Sequence, residues 1–244
     1  MKRKNNTKRN VIILACVCMG IIIGAAYMFF FSALLVGNDT KYVYIDNDDN
    51  IDSVYTKLSE FSSKGTQMTG FKMLVNNSKY ADNIRTGRYA VRPGEGAFVV
   101  FRHLKNGLQT PVNLVVPSVR TVDRLAAEFS KKLMLDSATI YHALADEATC
   151  RKYGYDTATI AAMFIPNTYD IYWNVSTEKL LDRMHKECNK FWNNERTDKA
   201  KAMKLSPIEV STLASIIDEE TANDGEKPMV AGMYYNRLML RNAE

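Results

Sequence analysis

The chain is predicted to be an α+β protein with a single N-terminal transmembrane helix, a small α+β module and then a mostly helical domain. Three observations carry that prediction. Positions 11–36 contain no charged residue, more than the roughly 20 apolar residues that cross a hydrocarbon core as a helix. Short β-branched and aromatic runs at 42–45 and 112–116 bracket stretches of helical spacing, as in a small module with helices on a narrow sheet. Beyond Pro117 the apolar residues recur at helical intervals behind serine and threonine caps.

Residues 1–10 form a basic tail: Lys2, Arg3, Lys4, Lys8 and Arg9 precede the apolar run, with no acid before Asp39. By the positive-inside rule the N-terminus is cytoplasmic and the remainder is exported. The run at 11–36 exceeds the roughly 7–15 apolar residues of a cleaved signal peptide, so an uncleaved anchor is expected. Ile13-Leu14-Ala15-Cys16 loosely resembles a lipoprotein processing site, but almost no apolar stretch precedes Cys16. Of 32 basic residues five lie in the tail, and the rest equal the 27 acidic ones. The basic pI of about 8.9 therefore reports topology and leaves no basic patch for nucleic acid.

Residues 41–116 are expected to form the α+β module. Residues 42–45 read as a strand, 46–52 as an acidic turn, and Ile51, Val54, Tyr55, Leu58 and Phe61 as one helix face. A second helix covers 68–76, a third covers 97–104 after the Pro93-Gly94 turn, and 112–116 supplies the closing strand. In 117–244, Thr121 caps a helix over 122–133, Ser137 one over 138–146 and Ser176 one over 177–193. Residues 164–173 are aromatic-rich and begin as a turn at Pro166-Asn167. Ser206-Pro207-Ile208-Glu209 is a capping box with proline at the first helical position, which sets the start of the next helix. Residues 223–225 end that helix, and Pro228 opens the last one.

Three consecutive carboxylates, Asp218, Glu219 and Glu220, close the capped helix. At about 100° per residue only Glu220 shares the stripe of Leu213, Ile216 and Ile217. A carboxyl on an apolar stripe is a misfit, a buried paired charge, or an acid that burial keeps protonated, as a general acid near neutral pH requires. Asp218 and Glu219 read as solvated charges, with Glu219 the alternative acid if the helix breaks early. Cys150 and Cys188 are candidates for a disulfide or are two separate small apolar residues. His103, His142 and His185 lack ligand spacing, so neither a metal nor another cofactor is expected.

Five segments stand in order along the chain. Residues 213–221 read Leu-Ala-Ser-Ile-Ile-Asp-Glu-Glu-Thr and 230–238 read Val-Ala-Gly-Met-Tyr-Tyr-Asn-Arg-Leu. Thr86-Gly87-Arg88-Tyr89 with His103-Leu104-Lys105-Asn106-Gly107 resembles the "G-x-Y … L-x-x-G" pattern of a LysM-like subdomain. Residues 115–121 stand in place of "I-P-E-G-x-T", with Ser118 where relatives have glutamate, and 164–169 match "F-P-D-T-Y". The ordered set resembles that of the membrane-anchored endolytic murein transglycosylases, the MltG or YceG-like family, and the resemblance implies a lyase that cleaves the β-1,4 bond between N-acetylmuramic acid and N-acetylglucosamine in nascent glycan strands. It leaves 1,6-anhydro-muramyl ends and maps the catalytic glutamate to Glu220.

Beside it, Thr221 is a candidate substrate contact or a hydroxyl bonded to the backbone, Asn236 and Arg237 are candidate contacts or part of a solvated helix face, and Tyr169, Tyr172 and Trp173 offer a stacking surface or core packing. The implied partners are peptidoglycan glycan strands and peptidoglycan synthases, and the implied location is the bacterial cytoplasmic membrane, catalytic part outside. Relatives continue for roughly another hundred residues, an ordinary domain-scale length. On that comparison 117–244 is expected to be an incomplete, C-terminally truncated catalytic domain. A membrane-anchored glycan-binding or scaffold protein is the alternative.

Overall fold

A computed structural model describes residues 2–35, 37–62, 65–118 and 121–241. Val36, at the end of the charge-free run, and Val119 and Arg120, within the "I-P-E-G-x-T"-like segment, lie outside the described residues. So do the side chains of Lys2, Arg3, Lys4 and Lys8. The fold is mixed α and β, mostly helical, and divides into two compact units, Met1–Thr110 and Pro111–Glu244.

The first unit opens with α1, Lys2–Phe30. Its stretch Arg9–Phe30 is long and apolar enough to cross a membrane. The expected anchor of 11–36 is therefore too long. The helix stops at Phe30, Leu34 and Leu35 are buried in the core of the folded part, and Ala33 and Leu35 bridge to Gly96 and Ser62. An uncharged run measures hydrophobicity, and core-facing and lipid-facing residues look alike by that measure.

Strand β1 (Lys41–Ile45) pairs antiparallel with β2 (Gly87–Val91), Val43 opposite Tyr89. Between them lie α2 (Ile51–Ser59), capped by the Asn50 side chain, and α3 (Gly65–Asn76); after them comes α4 (Ala97–Asn106), which ends at left-handed Gly107. The alternation of strand residues puts Val43 and Ile45 inward, where they meet Val54, Leu58, Phe71, Val100 and Leu104. Phe71 and Phe101 pack edge to face, with Tyr80 edge-on to Phe101.

The second unit begins with β3 (Val112–Val116), which pairs antiparallel with β4 (Asn167–Ile171). By sequence alone 112–116 belongs to the first module, and 164–173 begins as a turn at Pro166-Asn167 with no strand expected there. A strand cannot show its partner by composition alone, and here the partner lies about fifty residues ahead, behind α5 (Val122–Ser130), α6 (Ser137–Ala145) and α7 (Glu147–Lys152). Asp136, one residue before the expected Ser137, caps α6. A short 3-10 turn, Ile160–Met163, leads into β4. Then follow α8 (Thr177–Phe191), α9 (Asn194–Ala202), α10 (Pro207–Glu220) and α11 (Lys227–Arg241).

The core of this unit joins Leu114, Leu125, Phe129, Leu144, Met163 and Met184. Cys150 and Cys188 are both buried and both free; Cys150 Sγ points to the Leu144 carbonyl, while Cys188 Sγ meets the Tyr155 hydroxyl at 3.5 Å. They are two small core residues and form no disulfide.

A Cβ added at Gly70 of α3 would collide with the Phe29 carbonyl of α1. Gly70→Ala is predicted to destabilise the first unit by about 1–3 kcal/mol through overpacking. Gly65→Ala, on the same helix with nothing near the added carbon, is predicted to leave it unchanged. Thermal unfolding of the two variants in detergent checks this, and equal midpoints would contradict it.

Candidate active site

Helix α10 starts where the capping box predicts. The Ser206 hydroxyl accepts from the Glu209 amide at 3.2 Å, and the Glu209 carboxylate accepts from the Ser206 amide at 2.7 Å. Such a cap contributes about 1 kcal/mol, and it matters here because α10 has no buried residue to hold it. The helix ends at Glu220, with Thr221 as its C-cap.

Glu220 is exposed, Ile216 is 40% exposed and Ile217 is half-buried. The expected acid desolvated on an apolar stripe is therefore not what the structure holds. The stripe is real as a helical face, but among the described residues nothing covers it deeply enough to bury it. What orients Glu220 is a hydrogen bond: the Tyr234 hydroxyl donates to its Oε1 at 2.6 Å. The bond to Glu220 raises the Tyr234 pKa, so the phenol stays protonated and remains a donor. The Arg237 guanidinium lies over the Tyr234 ring, 5.8 Å from its centre. Glu220, Tyr234 and Arg237 thus form one connected group across the α10–α11 hairpin.

Asp218 plays a different part. It pairs with Lys227 at 2.8 Å, and Lys227 pairs equally with Asp224 at 2.8 Å, closing the turn between the helices. Hydrogen bonds from Lys227 and then from Ser118 hold the Asp218 pKa below its ordinary value, so it stays ionised at neutral pH. A carboxylate so held is a poor proton donor, which narrows the choice of acid to Glu220 and exposed Glu219.

The remaining candidates separate. Tyr169 is buried on β4 opposite Leu114, its hydroxyl given to the Ile165 carbonyl at 2.9 Å, and burial raises its pKa. It is a core residue and does not reach Glu220's group. Thr221 spends its hydroxyl on Glu226 at 2.9 Å within the hairpin turn. Asn236 is exposed on α11. Tyr172 is exposed, while Trp173 packs against the core.

The sequence reading missed Tyr234 and Lys227. Both act across a turn, where no periodicity within one helix can point to them. It also missed a groove of about 1080 Å³ beside α10, lined by Ile217 and Asp218 on one side and Phe164, Trp192, Arg196 and Lys199 on the other. Among the described residues no group of His, Cys, Asp and Glu is placed to hold a metal ion.

Residues 43–243 match the YceG-like family. A crystal structure of the yceG-like protein lmo1499 from Listeria monocytogenes is similar over 83% of this chain and 71% of that one, with 20% identity and a TM-score of 0.49. No curated protein matches the chain.

Lys227→Met is predicted to raise the Asp218 pKa toward its ordinary 3.8 and to lower hairpin stability only slightly, since the pair is exposed. The sign follows from a depressed folded pKa: the contribution is full above the ordinary value and is lost as pH falls through the depressed one. Carboxylate NMR titration of parent and variant reads it directly; an unmoved Asp218 would refute the assignment.

Proposed function

The chain belongs to the YceG-like family, and on that premise we propose that it is a membrane-anchored lytic transglycosylase that cuts within peptidoglycan glycan strands. Glu220 is its single acid/base. The observation that carries the reading is the Glu220 carboxylate at the end of α10, oriented through one oxygen by the Tyr234 hydroxyl. That bond occupies Oε1 and leaves Oε2 free for substrate.

Most glycosidases need two carboxylates, one as acid and one as nucleophile or base. A lytic reaction needs one, used twice. Protonated Glu220 gives its proton to the glycosidic oxygen as the bond to the muramyl anomeric carbon breaks. The resulting carboxylate then takes the proton of the same sugar's C6 hydroxyl, whose oxygen closes on the anomeric carbon. The products are a free 4-hydroxyl on N-acetylglucosamine and a 1,6-anhydro-muramyl end, and no water is consumed. Tyr234 holds the carboxylate in place through both steps, with Arg237 stacked on its ring. The exposed setting of Glu220 suits a polymer that enters from the side rather than at an end.

The groove along α10 is lined as far as Asp218 and not by Glu220, and it offers surfaces that match a muramyl glycan. Trp192 supplies a flat apolar surface and Arg196 and Lys199 supply cations for peptide-stem carboxylates. Arg9–Phe30 as a membrane span, with the basic tail on the cytoplasmic side, would keep the enzyme beside newly made strands and beside the synthases that make them. In this reading the folded part of Met1–Thr110 serves as the LysM-like glycan-holding module.

A glycan-binding role without cleavage is the second reading, favoured by the exposure of Glu220. Glu220→Gln separates the two. On purified sacculi it is predicted to reduce release of glycan fragments by about 10²–10⁴-fold, the usual worth of a general acid, with an unchanged circular dichroism spectrum. Tyr234→Phe is predicted to lower the rate by about tenfold, the value of one exposed hydrogen bond to a charged group, and to shift the pH–rate curve. Unaltered release by Glu220→Gln would rule out the catalytic assignment.

A further inference from the structure

The apolar helix of the Met1–Thr110 unit runs directly against its folded part. Gln67 Nε2 donates to Ser32 Oγ at 3.1 Å, and Gly70 lies against the Phe29 carbonyl. Rising positions on α1 thus meet falling positions on α3, so the C-terminal half of α3 lies beside earlier turns of α1. Exposure agrees: residues 9–25 of α1 are exposed, whereas Ala26, Phe29 and Phe30 are half-buried.

Length then becomes a constraint. The stretch from Arg9 to Phe30, with Tyr27 and Met28 still exposed, spans about 33 Å at 1.5 Å per residue, little more than the roughly 30 Å of a hydrocarbon core. Tilting the helix shortens its reach further. The span leaves almost no length to spare, so the part of the unit packed on its last turns lies at the far interface.

The side chains at that level suit an interface. Phe31 is 53% exposed, Met73 45% and Phe98 40%. The rings of Tyr27 and Phe31 stack at 6.4 Å, and Phe31 meets Phe98 of α4 at 5.9 Å, so one aromatic row continues from the apolar helix onto the folded part. Arg102, exposed one turn beyond Phe98 on the same face of α4, is placed for a lipid phosphate. Aromatic residues backed by long basic ones are what membrane interfaces select.

We propose that the folded part of Met1–Thr110 docks on the bilayer that α1 crosses, with Phe31, Met73 and Phe98 seated at the headgroup–acyl boundary. The proposal rests on the reading of α1 as a membrane span and adds that the module lies on the lipid surface instead of swinging free above it.

The test uses the full chain in liposomes with one tryptophan added at a time, Phe98→Trp or Ile21→Trp, the signal being the difference from the parent with its Trp173 and Trp192. Lipids brominated near the headgroup or deep in the acyl chain report depth. Loss of the Phe98→Trp emission in shallow-brominated vesicles, with loss of the Ile21→Trp emission in deep-brominated ones, is the expected result. Quenching of Ile21→Trp without any loss at Phe98→Trp would overturn the docking while leaving the span intact. No quenching at either position would remove the span and the proposal with it. Met73→Trp serves as a second reporter at the same level should Phe98→Trp fail to fold.

Discussion

The Lys227 ammonium, held equally by Asp218 and Asp224, closes the turn between α10 and α11. The candidate site depends on that closure. Helix α10 buries none of its residues, so the hydrophobic effect that holds the rest of the second unit together does little for this hairpin. Polar contacts take its place: the capping box at one end of α10, the Lys227 bridge and the Thr221–Glu226 bond in the turn, and the Tyr235 hydroxyl on the Met203 carbonyl. Exposed contacts of this kind each contribute only about 0–1 kcal/mol. The hairpin is thus geometrically defined and energetically light, which is where catalytic and binding elements are commonly drawn from.

The first unit obeys a different constraint, close backbone approach. Gly70 and Gly96 let the end of α1 come within reach of α3 and α4 in a way no larger residue allows. Leu34 and Leu35 then enter the core as part of the same chain passage. A helix that ends inside its own domain transmits its position to that domain. The spacing between apolar helix and folded part is therefore set by packing and leaves little to linker length.

Much of this was legible in the sequence, for physical reasons that can be named. The start of α10 was readable because a capping box is a local rule satisfied by four adjacent residues. The strands 42–45 and 112–116 were readable from their β-branched composition, and α8 from its caps and stripe. The β3–β4 pairing was not, because register is decided by a partner distant in the chain. The burial of Glu220 was expected from a stripe, yet a stripe states only which side chains share a face and says nothing of whether another element covers them. Tyr234 and Lys227 were invisible for the same reason: each acts across the hairpin. Ser118, read as a departure from a motif, lies near enough to Asp218 to help lower its pKa, across about a hundred residues of chain.

These pieces converge on a single-carboxylate site whose geometry is set by a tyrosine rather than by burial. The reaction proposed for it has one chemical signature that no hydrolase shares, since its attacking oxygen would come from the sugar itself. Digestion of purified peptidoglycan by the full chain in ¹⁸O-labelled water, followed by mass spectrometry of the new glycan ends, reads it most directly. The account predicts ends that carry no ¹⁸O and are lighter than the hydrolytic product by one water. Reducing ends labelled with ¹⁸O would contradict it.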